Sequence, residues 1–154
     1  MSVKPIPEGY HSVTPYLVVD GAAEAIRFYE QALGATEMLR MPMGDKIGHA
    51  EIKIGDSFIM LSDEWPDMGK LGPKKRGGAT SSLMIYLEDV DAAFARAVAA
   101  GAVVERPVED QFYGDRSGSV TDPFGHSWIL STHVEDVPEE EMERRMEAMA
   151  KEMA

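Results

Sequence analysis

The sequence predicts an α+β fold in which two tandem β-α-β-β-β units are followed by a C-terminal helix. The first observation is an internal repeat, because a shift of 70 residues aligns IGDSFIM at 54–60 with FGHSWIL at 124–130. The second is that a helix-periodic segment in each copy ends at a Gly-Ala pair, at 34–35 and 101–102. We expect a single domain with these parts: repeat 1 at about 10–63, a connector at 64–80, repeat 2 at about 81–134, and a helix at about 138–154.

Local patterns place the elements of the first unit. Residues 10–19 are rich in β-branched and aromatic side chains and predict a strand. Residues 22–33 carry apolar side chains at helical spacing, with Asp20 as the candidate N-cap and Gly34 as the candidate C-terminal glycine. Further strands are predicted at 38–43, 47–54 and 57–61, with a two-residue turn at 55–56.

The second unit repeats this plan with a longer loop. A strand is predicted at 82–87 and a helix at 89–100. Residues 107–118 predict a long loop, and such loops often cover binding sites. The run Asp122-Pro123-Phe124-Gly125 has the residues that a type I turn prefers, so we expect a hairpin spanning 119–131.

Composition excludes several classes of protein. The 154 residues include no cysteine, which excludes disulfides, thiolate catalysis and cysteine-ligated zinc. The formal net charge of −12 argues against a nucleic-acid partner, since a phosphate backbone is bound by clustered lysine and arginine. No apolar run is long enough for a signal peptide or a membrane span, so we expect a cytoplasmic protein that does not bind membranes.

The predicted C-terminal helix carries an apolar stripe on an otherwise charged segment. Met142, Met146, Met149 and Met153 recur at spacings of 4, 3 and 4 residues. We expect this stripe to pack on the domain or on a second copy of the chain, and binding of a cofactor or of an outside partner is the alternative. Deletion of residues 138–154 is therefore expected to lower thermal stability or to shift the oligomeric state.

Three long phrases carry a resemblance to a known family: TPYLVVDGAAEAIRFYEQALGA, HAEIKIGDSFIMLSDE and DQFYGDRSGSVTDPFGHSWIL. From about Tyr10 to His133 the chain resembles the vicinal oxygen chelate superfamily, in particular its PhnB-like branch. That superfamily includes glyoxalase I, extradiol dioxygenases, fosfomycin-resistance enzymes and bleomycin-resistance proteins. The resemblance implies curled mixed sheets that meet edge to edge around a cup, with helices outside, and a homodimer.

The resemblance also implies where a metal would lie. Catalytic members of the superfamily hold a divalent ion in the cup with four side chains, and the matching positions here are Thr14, Ile59 or Met60, Ser82 and Ile129. Hydroxyl and hydrocarbon groups do not replace the carboxylates and imidazoles that bind Mn, Fe, Ni or Zn. We therefore expect no metal at these positions and no other cofactor.

His49 and Glu51 are the candidate catalytic residues. They alternate with the apolar Ala50 and Ile52, so they point to the cup or to solvent rather than to the core. A polar sheet face without chemistry is the alternative reading. His126 is interpreted as a structural histidine that braces the turn.

The cup is expected to bind a small organic ligand through aromatic, apolar and directional polar groups. The candidate ligand-binding residues are Thr14, Tyr16, Met60, Ser82, Met84, Tyr86, Gln111, Tyr113 and Arg116. The leading hypothesis is a metal-free binding protein that sequesters an antibiotic-like or other aromatic ligand. The second is a lyase, isomerase or dioxygenase that uses His49 and Glu51 with or without a non-standard metal. The alternative to ligand binding is a cup filled by its own side chains. The alternative to a binding role for Arg116 is a surface ion pair with Asp115.

Overall fold

The computed structural model describes residues 2–154. Its elements in chain order are β1 Tyr16–Val19, α1 Ala22–Leu33, β2 Thr36–Met43, β3 Lys46–Ile54, β4 Ser57–Asp63, α2 Pro73–Arg76, β5 Ser82–Tyr86, α3 Val90–Ala100, β6 Val103–Asp110, β7 Asp115–Thr121, β8 Ser127–His133 and α4 Glu139–Met153. A short 3-10 turn at Pro66–Met68 lies in the connector.

Each unit forms one mixed four-stranded sheet. The strand orders are β1-β4-β3-β2 and β5-β8-β7-β6, so the two sheets have the same topology. In each sheet the first and last strands of the unit pair parallel, and the other neighbours pair antiparallel. The predicted α+β class, the tandem β-α-β-β-β units and the C-terminal helix are confirmed.

The helix α1 begins and ends as its sequence predicts, except at the N-cap. Ile26 and Tyr29 on its apolar face are fully buried, and Gly34 ends it in the left-handed conformation with φ 68°. Asp20 was expected to cap the helix, but this expectation is wrong. Instead, Oδ1 of Asp63 at the end of β4 accepts the backbone N–H groups of Gly21 and Ala22, at 3.0 and 2.8 Å. The Asp63 carboxylate therefore accepts the backbone N–H groups that a local N-cap would accept, and these hydrogen bonds connect α1 to its own sheet.

Two other expectations need correction. The strand predicted at 10–19 is formed only by its last four residues, because only Tyr16–Val19 pair with β4. The loop predicted at 107–118 is mostly a hairpin, since β6 continues to Asp110 and β7 begins at Asp115. Nearly all of β6 is exposed, so it shows none of the apolar alternation by which a half-buried strand is recognised.

The predicted turn at residues 122–125 is confirmed and joins the two units. The amide of Gly125 donates to the Asp122 carbonyl at 3.1 Å, and Oδ1 of Asp122 accepts the amides of Phe124 and His126. Across the interface, Nε2 of His126 lies 3.0 Å from the carbonyl oxygen of Val18 in β1. His126 therefore braces the turn against the first unit, which agrees with its structural interpretation.

The helices α1 and α3 pack against each other, and the hydrophobic core lies between the two sheets. α1 contacts α3, and the buried apolar residues of both units form one cluster. Among residues 2–154 no strand of one sheet pairs with a strand of the other, so within one chain the expected edge-to-edge meeting does not occur. The face of each sheet opposite its helix, which we call the open face, is turned away from the helix pair.

The C-terminal helix α4 lies on the surface. None of its residues is buried, and Met146, Met149 and Met153 are exposed. It is held by Arg145, which donates to the Phe112 carbonyl oxygen at 2.9 Å and to both carboxylate oxygens of Glu135. Over the described part of the chain, no helix has the length and apolar character needed to cross a membrane.

Candidate functional site

The open face of the first sheet gathers four of the predicted side chains. Tyr16 on β1 pairs with Met60 on β4, and Met60 pairs with Glu51 on β3, so the three lie side by side. His49 lies two residues before Glu51 on the same face. Their neighbours Leu17, Ala50 and Leu61 are buried on the helix side.

Three of these side chains form a hydrogen-bonded row. The imidazole of His49 lies between Tyr16 and Glu51, with Nδ1 at 3.0 Å from the Tyr16 hydroxyl and Nε2 at 2.9 Å from Oε2 of Glu51. The hydroxyl of Tyr10 donates to the other oxygen of the same carboxylate. The ammonium of Lys70 lies 5.3 Å from the centre of the Tyr16 ring.

The chemistry of the partners fixes the tautomer of His49. A carboxylate only accepts hydrogen bonds, so Nε2 carries the ring N–H, and this N–H donates to Glu51. In a neutral imidazole the other nitrogen is then an acceptor, and the Tyr16 hydroxyl donates to Nδ1. His49 therefore presents a basic nitrogen to a phenol on the open face.

The open face of the second sheet carries hydroxyl groups around one carboxylate. Glu105 accepts from Thr121 at 2.6 Å and from Ser127 at 3.1 Å, and Ser82 donates to Ser127 at 3.0 Å. The Thr121 hydrogen bond is the main cause that lowers the pKa of Glu105. All four side chains line a cavity of about 830 Å³ that also reaches Lys74. This arrangement presents an ionised carboxylate to a ligand.

A buried carboxylate organises the other end of the same sheet. Asp115 accepts from the Tyr86 hydroxyl at 2.9 Å and lies 2.7 Å from Nδ1 of His133. Burial works to raise the pKa of Asp115, but the hydrogen bonds of His133, Tyr86 and Ser131 outweigh it and lower that pKa. The hydrogen bond to Asp115 raises the pKa of Tyr86. The hydrogen bonds that His133 makes with Asp115 and Asp136 raise the pKa of His133.

A second cavity runs along the free edge of β5. It measures about 690 Å³ and lies between that strand and the segment before β1, with Thr14, Phe58, Met84, Tyr86 and Trp128 among its lining residues. Thr14, Met84 and Tyr86 thus meet in one place although they come from different units. Tyr16 and Met60 lie on the neighbouring open face rather than in this cavity.

The remaining predicted residues lie around the β6–β7 turn. Tyr113 packs edge-on against Phe112, with ring centres 5.3 Å apart, and the Gln111 amide reaches the Glu109 carbonyl at 3.4 Å.

Arg116 makes ion pairs outside both cavities. Its guanidinium binds Asp91 at the start of α3, at 2.8 and 3.0 Å, and Asp110 at 3.2 Å. An ion pair between Arg116 and Asp115, which the sequence left open, is not formed, because Asp115 is occupied by His133.

The positions that the resemblance assigns to a metal do not offer a suitable ligand set. Ile59 is 5% exposed and faces the core, so Met60 is the residue that lies on the open face. The four positions therefore hold Thr14, Met60, Ser82 and Ile129. Hydroxyl, thioether and hydrocarbon groups do not match the carboxylates and imidazoles expected for Mn, Fe, Ni or Zn. Among residues 2–154, no three histidine, aspartate or glutamate side chains come together as a ligand group.

Sequence reasoning missed several of these polar groups. Glu105 lies between the predicted helix at 89–100 and the predicted loop at 107–118, and Asp115 lies within that loop, so no sheet face could be assigned to either residue. Tyr10 and Lys70 come from outside the regular strands, and only the folded chain brings them to Tyr16 and Glu51.

Fold and site together define a class: a tandem β-α-β-β-β protein whose two open faces carry polar and aromatic side chains. The chain belongs to the Glyoxalase/Bleomycin resistance protein/Dioxygenase superfamily, whose sequence profile matches residues 9–130. The resemblance drawn from the sequence is confirmed.

Three similar proteins illustrate the relationship. An uncharacterized protein of Mycobacterium tuberculosis strain H37Rv is 44% identical over 139 residues, which cover 88% of this chain and 82% of that protein. The crystal structure of an Arabidopsis thaliana gene product has a TM-score of 0.65 at 28% identity and covers 79% of this chain and 98% of its own. A PhnB protein from Bacillus cereus has a TM-score of 0.63 at 18% identity, covering 79% and 99%, and shares the fold.

Proposed function

We propose that this protein binds a small organic ligand in a cup that two copies of the chain build together. In each cup the open face of the first unit of one copy lies opposite the open face of the second unit of the other. The observation that carries the proposal is the packing of α1 against α3, which turns the two open faces of a single chain away from the helix pair. A second copy supplies the missing wall of each cup, and a homodimer with twofold symmetry completes two cups at once.

The side chains on the two faces suit a flat, aromatic and cationic ligand. Tyr16 and Met60 on one face and Met84 on the other give apolar and aromatic contact area. Glu51 and Glu105 place one carboxylate on each face, and the chain as a whole carries a formal net charge of −12. Opposite charge steers cations towards such a surface and disfavours anions. Binding of this kind needs no metal at the positions that related enzymes use.

Ligand binding is tested directly with the full-length protein. Native mass spectrometry and equilibrium dialysis against quinoxalines and cationic glycopeptides are expected to find a complex with two ligands per two chains. A matched set of anionic analogues is the control and is expected to bind more weakly. A broad panel with no binder at all contradicts the proposal.

Mixing two defective variants tests whether both copies contribute to a cup. Met60→Lys damages every first-unit wall and Met84→Lys every second-unit wall, because each removes apolar contact area and repels a cationic ligand, so each variant alone is expected to lose binding. In a mixed dimer, one cup receives both damaged walls and the other receives two intact walls. Random exchange of subunits therefore restores about one quarter of the wild-type binding capacity. Mixing restores nothing if each chain builds its cup alone, and that result refutes the shared cup.

A specific observation also supports an enzymatic function. The 2.9 Å contact between His49 and Glu51 favours the tautomer in which Nδ1 of the imidazole carries no proton, as a general base requires. As a lyase or isomerase, the wild-type protein would convert a bound ligand, and His49→Ala would bind it without conversion. Metal analysis of protein from metal-supplemented cells accompanies this test. Full binding by both proteins without conversion by either contradicts the enzymatic proposal.

A further inference from the structure

We propose that Tyr16 is a nucleophile, activated by His49 and Glu51, with which the first-unit face captures activated acyl or sulfonyl ligands as covalent adducts. The inference rests on the proposed function only in that the ligand reaches the same open face. It goes further because it assigns a covalent reaction to one oxygen atom.

The geometry matches what an activated nucleophile needs. The Tyr16 hydroxyl lies 3.0 Å from Nδ1 of His49, and Glu51 holds the opposite ring nitrogen at 2.9 Å. A nucleophile in contact with a base that a third group orients is the arrangement found in hydrolytic triads, and it is recognised by geometry rather than by sequence order. Tyr10 donates to the second oxygen of Glu51 and so restrains that carboxylate.

Exposure and charge also favour reaction at this phenol. Tyr16 is 42% exposed, whereas the His49 and Glu51 side chains are 24% and 17% exposed. A ligand can therefore reach the oxygen while the base behind it is sheltered. The Lys70 ammonium, 5.3 Å from the Tyr16 ring centre, stabilises negative charge that develops on the phenol during attack.

The second unit contains a natural comparison. Tyr86 also donates to an acceptor, but that acceptor is the carboxylate of Asp115. Hydrogen bonds lower the pKa of Asp115 against the effect of burial, so it is a poor base, and the same contact raises the pKa of Tyr86. Tyr86 is therefore expected to be unreactive under conditions in which Tyr16 reacts.

The reaction with a sulfonyl fluoride balances without another reactant. The Tyr16 oxygen forms a bond to sulfur, the sulfur–fluorine bond breaks, and fluoride leaves with the electron pair. The phenolic proton passes to Nδ1 of His49, whose positive charge is stabilised by Glu51, and then to water. With an activated acyl ligand the oxygen bonds to the carbonyl carbon, and the leaving group departs in place of fluoride.

The test uses the full-length protein and an aromatic sulfonyl fluoride that carries an ammonium group. Intact mass and peptide mapping are expected to show one adduct, on Tyr16, with the Tyr86 and Tyr113 peptides unmodified. His49→Gln is expected to slow labelling by about 10² or more, which is the usual contribution of a general base. The matched control His11→Gln, which changes an exposed histidine outside the row, is expected to label at the wild-type rate.

Two further readouts separate activation from a structural effect. Glu51→Gln is also expected to slow labelling, because an amide N–H facing Nε2 selects the tautomer in which Nδ1 carries the proton. Nitrogen NMR of His49 reports that change of tautomer directly. Unfolding temperatures near the wild-type value confirm that the variants are folded.

Two results overturn the inference: an adduct on another residue, or an unchanged rate in His49→Gln. They remain distinguishable from failure of the proposed function. Reversible binding of the quinoxaline panel without any Tyr16 adduct refutes only the covalent reaction. A Tyr16 adduct without reversible binding of any panel member refutes only the general binding role.

Discussion

Replacing Asp122 by Asn tests the contact on which the packing of the two units depends. Its Oδ2 accepts the Tyr29 hydroxyl from α1 at 2.6 Å and the Trp128 indole N–H from β8 at 2.8 Å. Its Oδ1 accepts two backbone amides of its own turn, and the whole residue is buried. One carboxylate therefore joins a helix of the first unit to a hairpin of the second.

The expected loss of stability follows from counting donors and acceptors. An asparagine keeps its carbonyl oxygen for the turn amides but presents an NH₂ group to the other two partners. The Tyr29 hydroxyl can turn and accept, whereas the Trp128 N–H can only donate and is left unpaired. An unpaired buried donor costs about 1–3 kcal/mol, and loss of the charged acceptor adds to it, so Asp122→Asn is expected to cost about 3 kcal/mol. For a chain of this size that is a fall of about 6–12 °C in unfolding temperature.

Chemical and thermal unfolding measure this loss, with Asp56→Asn as the matched control in the corresponding turn of the first unit. Asp56 is exposed and bonds only the neighbouring Ser57 hydroxyl, so its substitution is expected to change stability by less than about 0.5 kcal/mol. In a double-mutant cycle, Trp128→Phe removes the orphaned donor but leaves a cavity in both backgrounds, so the two substitutions together are expected to cost about 1 kcal/mol less than the sum of their separate costs. Additive effects of the two substitutions, or an Asp122→Asn cost below about 0.5 kcal/mol, refute the reasoning.

Two further predictions concern packing and pH. A Cβ added at Gly118 would lie 2.8 Å from the Phe94 ring, so Gly118→Ala is expected to cost about 1–3 kcal/mol in denaturant unfolding, while Gly48→Ala, at the matching repeat position, costs much less. Equal effects of the two substitutions contradict this. The hydrogen bond to Asp115 raises the pKa of His133. The stability that His133 contributes to the folded protein is therefore present below the usual histidine pKa and is lost as the pH rises through the raised value. His133→Gln is therefore expected to lower the unfolding temperature more at about pH 5.5 than at about pH 9, and an equal effect at both contradicts the linkage.

The sequence predicted those parts of the fold that local chemistry decides. The spacing of Ile26 and Tyr29 gave the buried face of α1, and the 122–125 turn was predicted from residues whose roles are local. The N-cap of α1 could not be predicted in this way, because Asp63 lies 42 residues after Gly21 and meets it only through the pairing of β1 with β4.

The same distinction holds for the site. Strand alternation was sufficient to place His49 and Glu51 on a face away from the core, since period-two geometry needs only neighbouring residues. It could not show that Tyr16 would bond to Nδ1 of His49, because that contact depends on the register of two further strand pairings. The placement of the units was also beyond local reasoning, since it is set by contacts between α1 and α3.

The two units have the same topology but differ in the chemistry of their open faces. The first presents an imidazole and a phenol, with His49 as a base towards Tyr16, whereas the second presents an ionised carboxylate, Glu105, among hydroxyl groups. A cup made from two first-unit faces would lack the hydroxyl cluster around Glu105, and one made from two second-unit faces would lack the row of Tyr16, His49 and Glu51. A cup that combines one face of each kind sets the imidazole of His49 and the hydroxyl-bound carboxylate of Glu105 on opposite sides of one ligand. The mixing experiment with Met60→Lys and Met84→Lys therefore tests the chemistry of the site together with its assembly.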